Sequence, residues 1–276
     1  MIKQAIIPLA GLGTRLLPLT SVFAKELLPI NGKPGLEYIL DECIEAGIKE
    51  VIFIISKKKM MIKKYFYNDK FYKDIIKKKS DPKIIKEYKK ILKYKKMIKF
   101  VFQDKPLGTG NAVYKTKKFI TDKYFLMLLP DDLIIKKNCS KSMMAVHRRF
   151  KKSVMASMKV NKNDVSRWGI YNIKKKIDKN NFIIDSVVEK PSIKNSPSNN
   201  AVIGRYILPK KIFSKLKLLK PGKNGEFHIT DAIQALIDDN SQFIGHNFSG
   251  KYLDCGTMKG YIKSTLEISK LWNFAL

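Results

Sequence analysis

The feature that most constrains this chain is a buried-strand pattern that breaks into a glycine loop. An apolar run over residues 2–9 ends at Gly11-Leu-Gly13-Thr-Arg15, and Lys25-Glu26 comes before the next apolar patch. An apolar run without polar alternation is the signature of a parallel strand covered on both faces. Residues 33–46 (KPGLEYILDECIEA) then place Leu36, Ile39, Leu40, Cys43 and Ile44 at helical spacing, with Gly47 as the stop. Residues 51–55 (VIFII) make a second buried strand. Strand, loop, helix and strand form a βαβ unit, which calls for a parallel sheet.

The alternation continues along the chain. Residues 57–99 are rich in lysine and helical in pattern, broken at Asp81-Pro82, and read as two or three surface helices. A short strand at 99–103, a helix opening at 108–116 and a buried strand at 124–129 come next; the last ends at Pro130-Asp131-Asp132. A helix at 140–150 and a strand at 153–160 complete this half. From about 167 strands dominate, at 169–173, 182–188 and 201–208. Helices near 210–218 and 229–237, a strand at 242–248 and a helix from about 257 to 271 close the pattern. The loop at 190–200 is too short to separate domains, so one α/β domain over residues 1–276 is expected.

Composition narrows the class. With 276 residues and 45% hydrophobic content, the chain can bury a core without disulfides. Cys43, Cys139 and Cys255 are far apart and odd in number, and His147, His228 and His246 are scattered, so neither a disulfide framework nor a zinc site is expected. That usage suits a reducing cytoplasm. No apolar stretch reaches the eighteen or so residues of a membrane span. The opening Met1-Ile-Lys-Gln leads straight into a strand pattern, so no signal peptide is expected. The formal charge is +31, carried by 55 lysines and arginines, of which only Arg15, Arg148, Arg149, Arg167 and Arg205 are arginine. Nucleic-acid sites favour arginine for its planar fork. A lysine excess spread along the chain, among many isoleucines and asparagines, reads instead as the codon drift of an AT-rich genome. Tyr65, Phe66, Tyr67, Phe71 and Tyr72 lie in the lysine-rich segment at helical spacing and read as packing residues rather than a nucleic-acid platform.

Four motifs carry chemistry. Glycines after a parallel strand let backbone N–H groups approach phosphate oxygens, and Arg15 can clamp a polyphosphate. The loop is neither a Walker P-loop nor a G-x-G-x-x-G dinucleotide fingerprint. Asp131 comes just after a parallel strand, where open α/β sheets bind ligands. Asp254 in YLDCGT (252–257) again stands after a short strand and before a helix. Two such carboxylates could flank one divalent ion through oxygen. In VVEKP (187–191), Glu189 can accept from sugar hydroxyls and Lys190 can pair with a phosphate.

Together with KELLPI, KPGLEYILDECIEAGI, QDKPLGTGNAV, LLPDDLI, WGIY, SNNAVIGRYIL, GEFHITDAI and DCGTMKGY, these motifs resemble the sugar-nucleotide pyrophosphorylases. Within that family the chain is similar to the bacterial UTP–glucose-1-phosphate uridylyltransferases. The resemblance covers nearly the whole chain in the family's order. It implies a Rossmann-like nucleotidyltransferase fold with a mixed, mostly parallel sheet flanked by helices. It divides the chain into a nucleotide-binding half (about 1–135), a sugar-binding half (about 136–276) and a helical insertion (about 57–99). Gly11, Gly13, Gln103 and Gly108 would hold UTP, with Gln103 on the uracil edge. Arg15 and Lys25 would hold the triphosphate, Asp131 and Asp254 would bind Mg²⁺, Gly169 and Glu189 would hold glucose, and Lys190 its 1-phosphate. Thymidylyl relatives tend to carry Gln where this chain has Glu26, and the insertion resembles one in the uridylyl enzymes. The end at Leu276 comes earlier than the resemblance suggests, which puts subunit contacts there in doubt and leaves open whether the chain forms a homo-oligomer.

The implied reaction joins UTP and glucose 1-phosphate to give UDP-glucose and pyrophosphate. The sugar phosphate is a dianion near neutral pH, so positioning and charge neutralisation suffice without a general base. A thymidylyl- or cytidylyltransferase on the same fold is the alternative. A nucleic-acid-binding protein fits less well because the aromatic residues of the lysine-rich segment read as packing residues, and a non-catalytic sensor of sugar nucleotides fits less well because both metal carboxylates are present.

Overall fold

A computed structural model describes residues 1–222 and 225–271; the chain's end at Leu276 lies outside the described residues. The first strand, β1 (Gln4–Pro8), leads through the glycine loop to a small hairpin, β2 (Pro29–Ile30) and β3 (Lys33–Pro34), then to α1 (Gly35–Glu45) and β4 (Glu50–Ile55). Three helices come after it, α2 (Met60–Tyr67), α3 (Asp69–Lys79) and α4 (Pro82–Met97), and the chain returns as β5 (Ile98–Phe102). Next come α5 (Gly108–Lys115), β6 (Tyr124–Leu128), β7 (Asp132–Ile135), α6 (Cys139–Phe150) and β8 (Ser153–Lys159). The second half holds β9 (Gly169–Lys176), β10 (Asn181–Glu189), β11 (Asn200–Pro209), α7 (Ile212–Leu218), α8 (Ile229–Asp238), β12 (Phe243–Asn247), β13 (Lys251–Asp254) and α9 (Met258–Leu271).

Nine strands form one mixed sheet in the order β5-β4-β1-β6-β11-β8-β12-β10-β9. The strands β5, β4, β1 and β6 are parallel, as a chain of βαβ units requires. Beyond β6 the pairing turns antiparallel at β11 and stays so except between β8 and β12. β9 also meets β11 at Ala201↔Ile170, so these five strands curl round on themselves. A separate two-stranded sheet joins β13 to β7, pairing Asp254 with Asp132. The sequence pattern contained the strand before Asp254 but gave no sign of β7.

The two faces of the sheet bury different helices. Ala5, Ile7, Val51, Phe53 and Ile55 face the helices α1, α2, α4 and α6. Ile6, Ile52 and Ile54 face α5, α7 and α8. Burial on both faces is the reason these strands read as continuous apolar runs. The run at 2–9 is interrupted by Lys3, which is exposed, and by Gln4, which is buried. Gln4 donates Nε2 to Glu50 (2.7 Å) and to the Phe119 carbonyl (2.8 Å), and its Oε1 accepts from the Thr121 and Asp122 amides. Its amide is fully paired, so it costs the core little.

The lysine-rich segment folds as three helices, as its pattern requires. Pro82 sits at the first position of α4, and Asp81 caps it by accepting from Lys83 N at 2.7 Å. The aromatic residues pack for the most part. Phe66 is buried against Phe53, Tyr65 and Tyr94, and Tyr72 stacks on Tyr88 at 5.0 Å. Phe71 and Tyr67 stay exposed. No described helix is long and apolar enough to cross a membrane.

Candidate active site

Strands β1, β5 and β6 end on the same side of the sheet, and the loops that leave them line a cavity of about 520 Å³. After β1 come Gly11, Gly13 and Arg15; after β5, Gln103 and Gly108; after β6, Asp131. Lys25 completes the wall from a single 3₁₀ turn, Lys25–Leu27. Seven of the eleven residues singled out in the sequence therefore meet in one place, outside the carboxyl ends of parallel strands.

The local backbone explains the residue types. Gly13 takes φ +72°, and a Cβ there would press on Thr20 and the Lys25 stem at 3.1 and 3.3 Å. Thr20 donates Oγ1 to the Gly13 carbonyl at 2.8 Å and holds the turn closed. Gly108 takes φ +87° at the start of α5, and a Cβ would lie 2.6 Å from the Phe227 carbonyl oxygen. Any side chain at 108 would push the 226–228 segment away from the cavity, which Glu226 and His228 also line.

Asp131 is the electrostatic centre. Its Oδ2 accepts from the Lys25 ammonium and, at 3.4 Å, from Arg15 Nη2. Gln103 is buried and donates Nε2 to the Gly108 carbonyl (3.2 Å) and to Asn111 Oδ1 (3.0 Å). With its amide hydrogens engaged, Oε1 remains as an acceptor.

The turn that carries Asp131 is held from below by a fully buried arginine. Arg205 on β11 pairs with Glu42 on α1 through Nε and Nη2, at 2.9–3.1 Å. Its other N–H groups go to the carbonyls of Leu129 (3.1 Å), Gly204 (3.0 Å) and Asp132 (2.6 Å). It thus grips the backbone on both sides of Asp131. Asp132 adds a second brace, accepting from Gly204 N at 2.8 Å and Tyr252 Oη at 2.6 Å. Burial pushes the Asp132 carboxyl above the usual range, and the hydrogen bond to Tyr252 and the Arg205 charge pull it back.

Asp254 stands beside this turn. The Cys255 amide donates to the Asp131 carbonyl at 2.8 Å. The Asp254 carboxylate accepts from Gly256 N (2.8 Å) and Thr257 Oγ1 (3.3 Å) within its own loop. A Cβ at Gly256 would come within 3.0 Å of Asp131 Oδ2, and one at Gly260 within 3.0 Å of Asp254 Oδ2. Each carboxylate is therefore approached so closely by a glycine that a side chain there would crowd it. Among the described residues no three His, Cys, Asp or Glu side chains form a metal cage by themselves.

Gly169, Glu189 and Lys190 form a second group, and none of them lines the cavity. Gly169 and Glu189 are cross-strand partners at the ends of β9 and β10, and a Cβ at Gly169 would lie 3.0 Å from Glu189 Oε2. Lys190 comes next at φ +46°, its amide donating to the Trp168 carbonyl at 2.9 Å. The Trp168 ring meets Tyr252 edge-on at 5.5 Å, and Tyr252 in turn holds Asp132. The two groups are thus joined through three side chains.

Reading the residues alone missed Asp132, Arg205, Glu42, Glu226 and His228. Only Arg205 left a signal, as a charge inside the apolar strand pattern AVIGRYIL.

Comparisons with known proteins place the chain among relatives over nearly its whole length. Residues 4–270 match the family model described as nucleotidyl transferase. The UTP–glucose-1-phosphate uridylyltransferase 1 of Staphylococcus saprophyticus is 35% identical over 269 residues, covering 97% of this chain and 93% of that protein. A UDP-glucose pyrophosphorylase solved with UDP-glucose superposes with a TM-score of 0.85 at 33% identity, covering 98% of this chain and 100% of that one. A UTP-bound UGPase from Acinetobacter baumannii gives a TM-score of 0.87 at 30% identity, covering 98% of this chain and 94% of that one. This chain belongs to the nucleotidyl transferase family.

Proposed function

We propose that this protein transfers the uridylyl group of UTP to glucose 1-phosphate, giving UDP-glucose and pyrophosphate. The observation that carries the reading is the meeting of Gly11, Gly13, Arg15, Lys25 and Asp131 with Gln103 and Gly108 in one cavity. One end offers the cations and backbone of a polyphosphate site, and the other the acceptor and backbone groups of a base site. The relatives named for UTP and glucose 1-phosphate support the same choice.

Each residue has a role that fits its chemistry. Gln103 Oε1 accepts from the N3–H of uracil, and Gly108 allows the backbone to reach the base. A Cβ at Gly11 would meet no atom within 4 Å, so the peptide there is open to phosphate oxygens. Arg15 and Lys25 take the β- and γ-phosphates and stabilise charge growing on the leaving pyrophosphate. Glu189 binds sugar hydroxyls beside Gly169, and Lys190 offsets the repulsion between the 1-phosphate and the triphosphate. A sugar phosphate oxygen attacks the α-phosphorus in line, so alignment of the two substrates does the work of a base.

Mg²⁺ fits the chemistry of the donor set, because Asp131 and Asp254 are hard carboxylate donors and a glycine lies against each of them. Asp131 and Asp254 would hold it, and when bound it screens the phosphate charges and orients the oxygens on them. We also read the chain as one domain, because the sheet runs unbroken from β5 to β9. Three free thiols fit residence in the reducing cytoplasm.

A coupled pyrophosphate-release assay over UTP, dTTP and CTP with several sugar 1-phosphates tests the function. UTP with glucose 1-phosphate is expected to give the highest kcat/KM. A preference for dTTP or CTP would move the assignment to the alternative transferases. Lys25→Ala is expected to raise KM for UTP and pyrophosphate, and Lys190→Ala that for glucose 1-phosphate, each by at least about tenfold. Identical defects in both variants would refute the division of roles.

The charge of +31 is assigned no specific nucleic-acid partner. Weak polyanion binding at low salt is expected from exposed lysines, falling steeply between about 50 and 200 mM salt without sequence preference. Titration of several unrelated DNA and RNA sequences across that range checks this, and sequence-dependent binding at the upper end would contradict it.

A further inference from the structure

Two features that stand apart in the sequence meet in the fold. Glu26 sits next to the triphosphate lysine in KELLPI, and Lys59 opens the helical insertion. The Lys59 ammonium donates to both carboxylate oxygens of Glu26, at 2.7 and 2.8 Å. Among the described residues only this pair and Arg205–Glu42 have both partners almost fully buried. Arg205–Glu42 lies under the Asp131 turn. Lys59–Glu26 lies beside Lys25, and Glu26 itself lines the cavity.

The groups form a row of alternating charge: Lys59, Glu26, Lys25, Asp131. Glu26 is adjacent to Lys25 in one 3₁₀ turn, and Lys25 pairs with Asp131 at the other end. A buried carboxylate must be paired by a cation or take up a proton. Besides Lys59, the cation whose charge acts on the Glu26 carboxylate is Lys25. Without Lys59, the Lys25 charge would be drawn to Glu26 and away from the phosphates.

We propose that Lys59 is a positioning residue for the reaction: by neutralising Glu26, it keeps the charge of Lys25 directed to the Asp131 side of the cavity, where the triphosphate is proposed to bind. The insertion is thereby part of the site although none of its helices lines the cavity. The inference rests on the assignment of Lys25 to UTP.

The test measures UTP affinity by calorimetry in the full chain with Mg²⁺ present, alongside steady-state KM for both substrates. Lys59→Gln keeps a donor for Glu26 but removes the charge. It is expected to weaken UTP binding about tenfold or more and leave the KM for glucose 1-phosphate unchanged. Glu26→Gln with Lys59→Gln removes the competing carboxylate and is expected to bring the UTP Kd back to within about threefold. Lys59→Arg keeps the charge and is expected to do the same. A Lys59→Gln variant that binds UTP normally, or a double variant as impaired as the single one, overturns the proposal. Where Lys59→Gln does not fold, the double variant and Lys59→Arg decide, because weak UTP binding in either contradicts it. Lys25→Ala separates the two readings: if it leaves UTP affinity unchanged, the role of Lys25 fails. If Lys25→Ala is defective and Lys59→Gln is normal, only the role of Lys59 fails.

Discussion

Asp131→Asn is expected to lower kcat at least about a hundredfold while the fold persists. The carboxylate receives both Lys25 and Arg15 at the end of β6, so it sets where positive charge gathers. Asparagine keeps the size but removes the charge, and with it the anchor proposed for a divalent ion. The turn beneath should not collapse, because Arg205 holds it by carbonyls rather than by this side chain. Turnover at saturating Mg²⁺, with circular dichroism and Tm as controls, checks the result. Near-normal turnover would remove Asp131 from the metal site.

Arg205→Met is expected to cost about 3–5 kcal/mol of stability. The change strands Glu42 as a buried carboxylate and removes a donor from the carbonyls of Leu129 and Asp132. Ser140 still donates to Glu42, which limits the loss but cannot neutralise the charge. A fall in Tm of roughly 5–9 °C should accompany it. Arg205→Met with Glu42→Met removes the stranded charge, so the double variant should recover much of the stability yet remain slow, because the turn carrying Asp131 has lost its grip. Thermal unfolding and kcat measured on all three variants separate stability from positioning. An active double variant would make the arginine a packing element only.

The elements of this fold were legible because each depends on residues a few positions apart. The spacing of Leu36, Ile39, Leu40 and Cys43 is enough to specify α1, and Asp81-Pro82 is enough to start α4. The loops at Gly11–Gly13 and Asp131 left a local sign as well, since glycine and carboxylate after a parallel strand suit a ligand loop, although ordinary turns use the same residues. What stayed hidden depends on chain segments that touch only after folding. Arg205 and Glu42 are 163 residues apart, and Lys59 and Glu26 are 33 apart. Neither partner has a local pattern that names the other. The turn of the sheet from parallel to antiparallel at β11 was hidden for a related reason: a buried strand has the same apolar run in either direction. The sequence alone thus determined which pieces form and which residue types could bind a nucleotide and a sugar phosphate. Tertiary structure alone decided which charges are paired underneath the site, because the cost of burying a charge is set by what the rest of the chain brings against it.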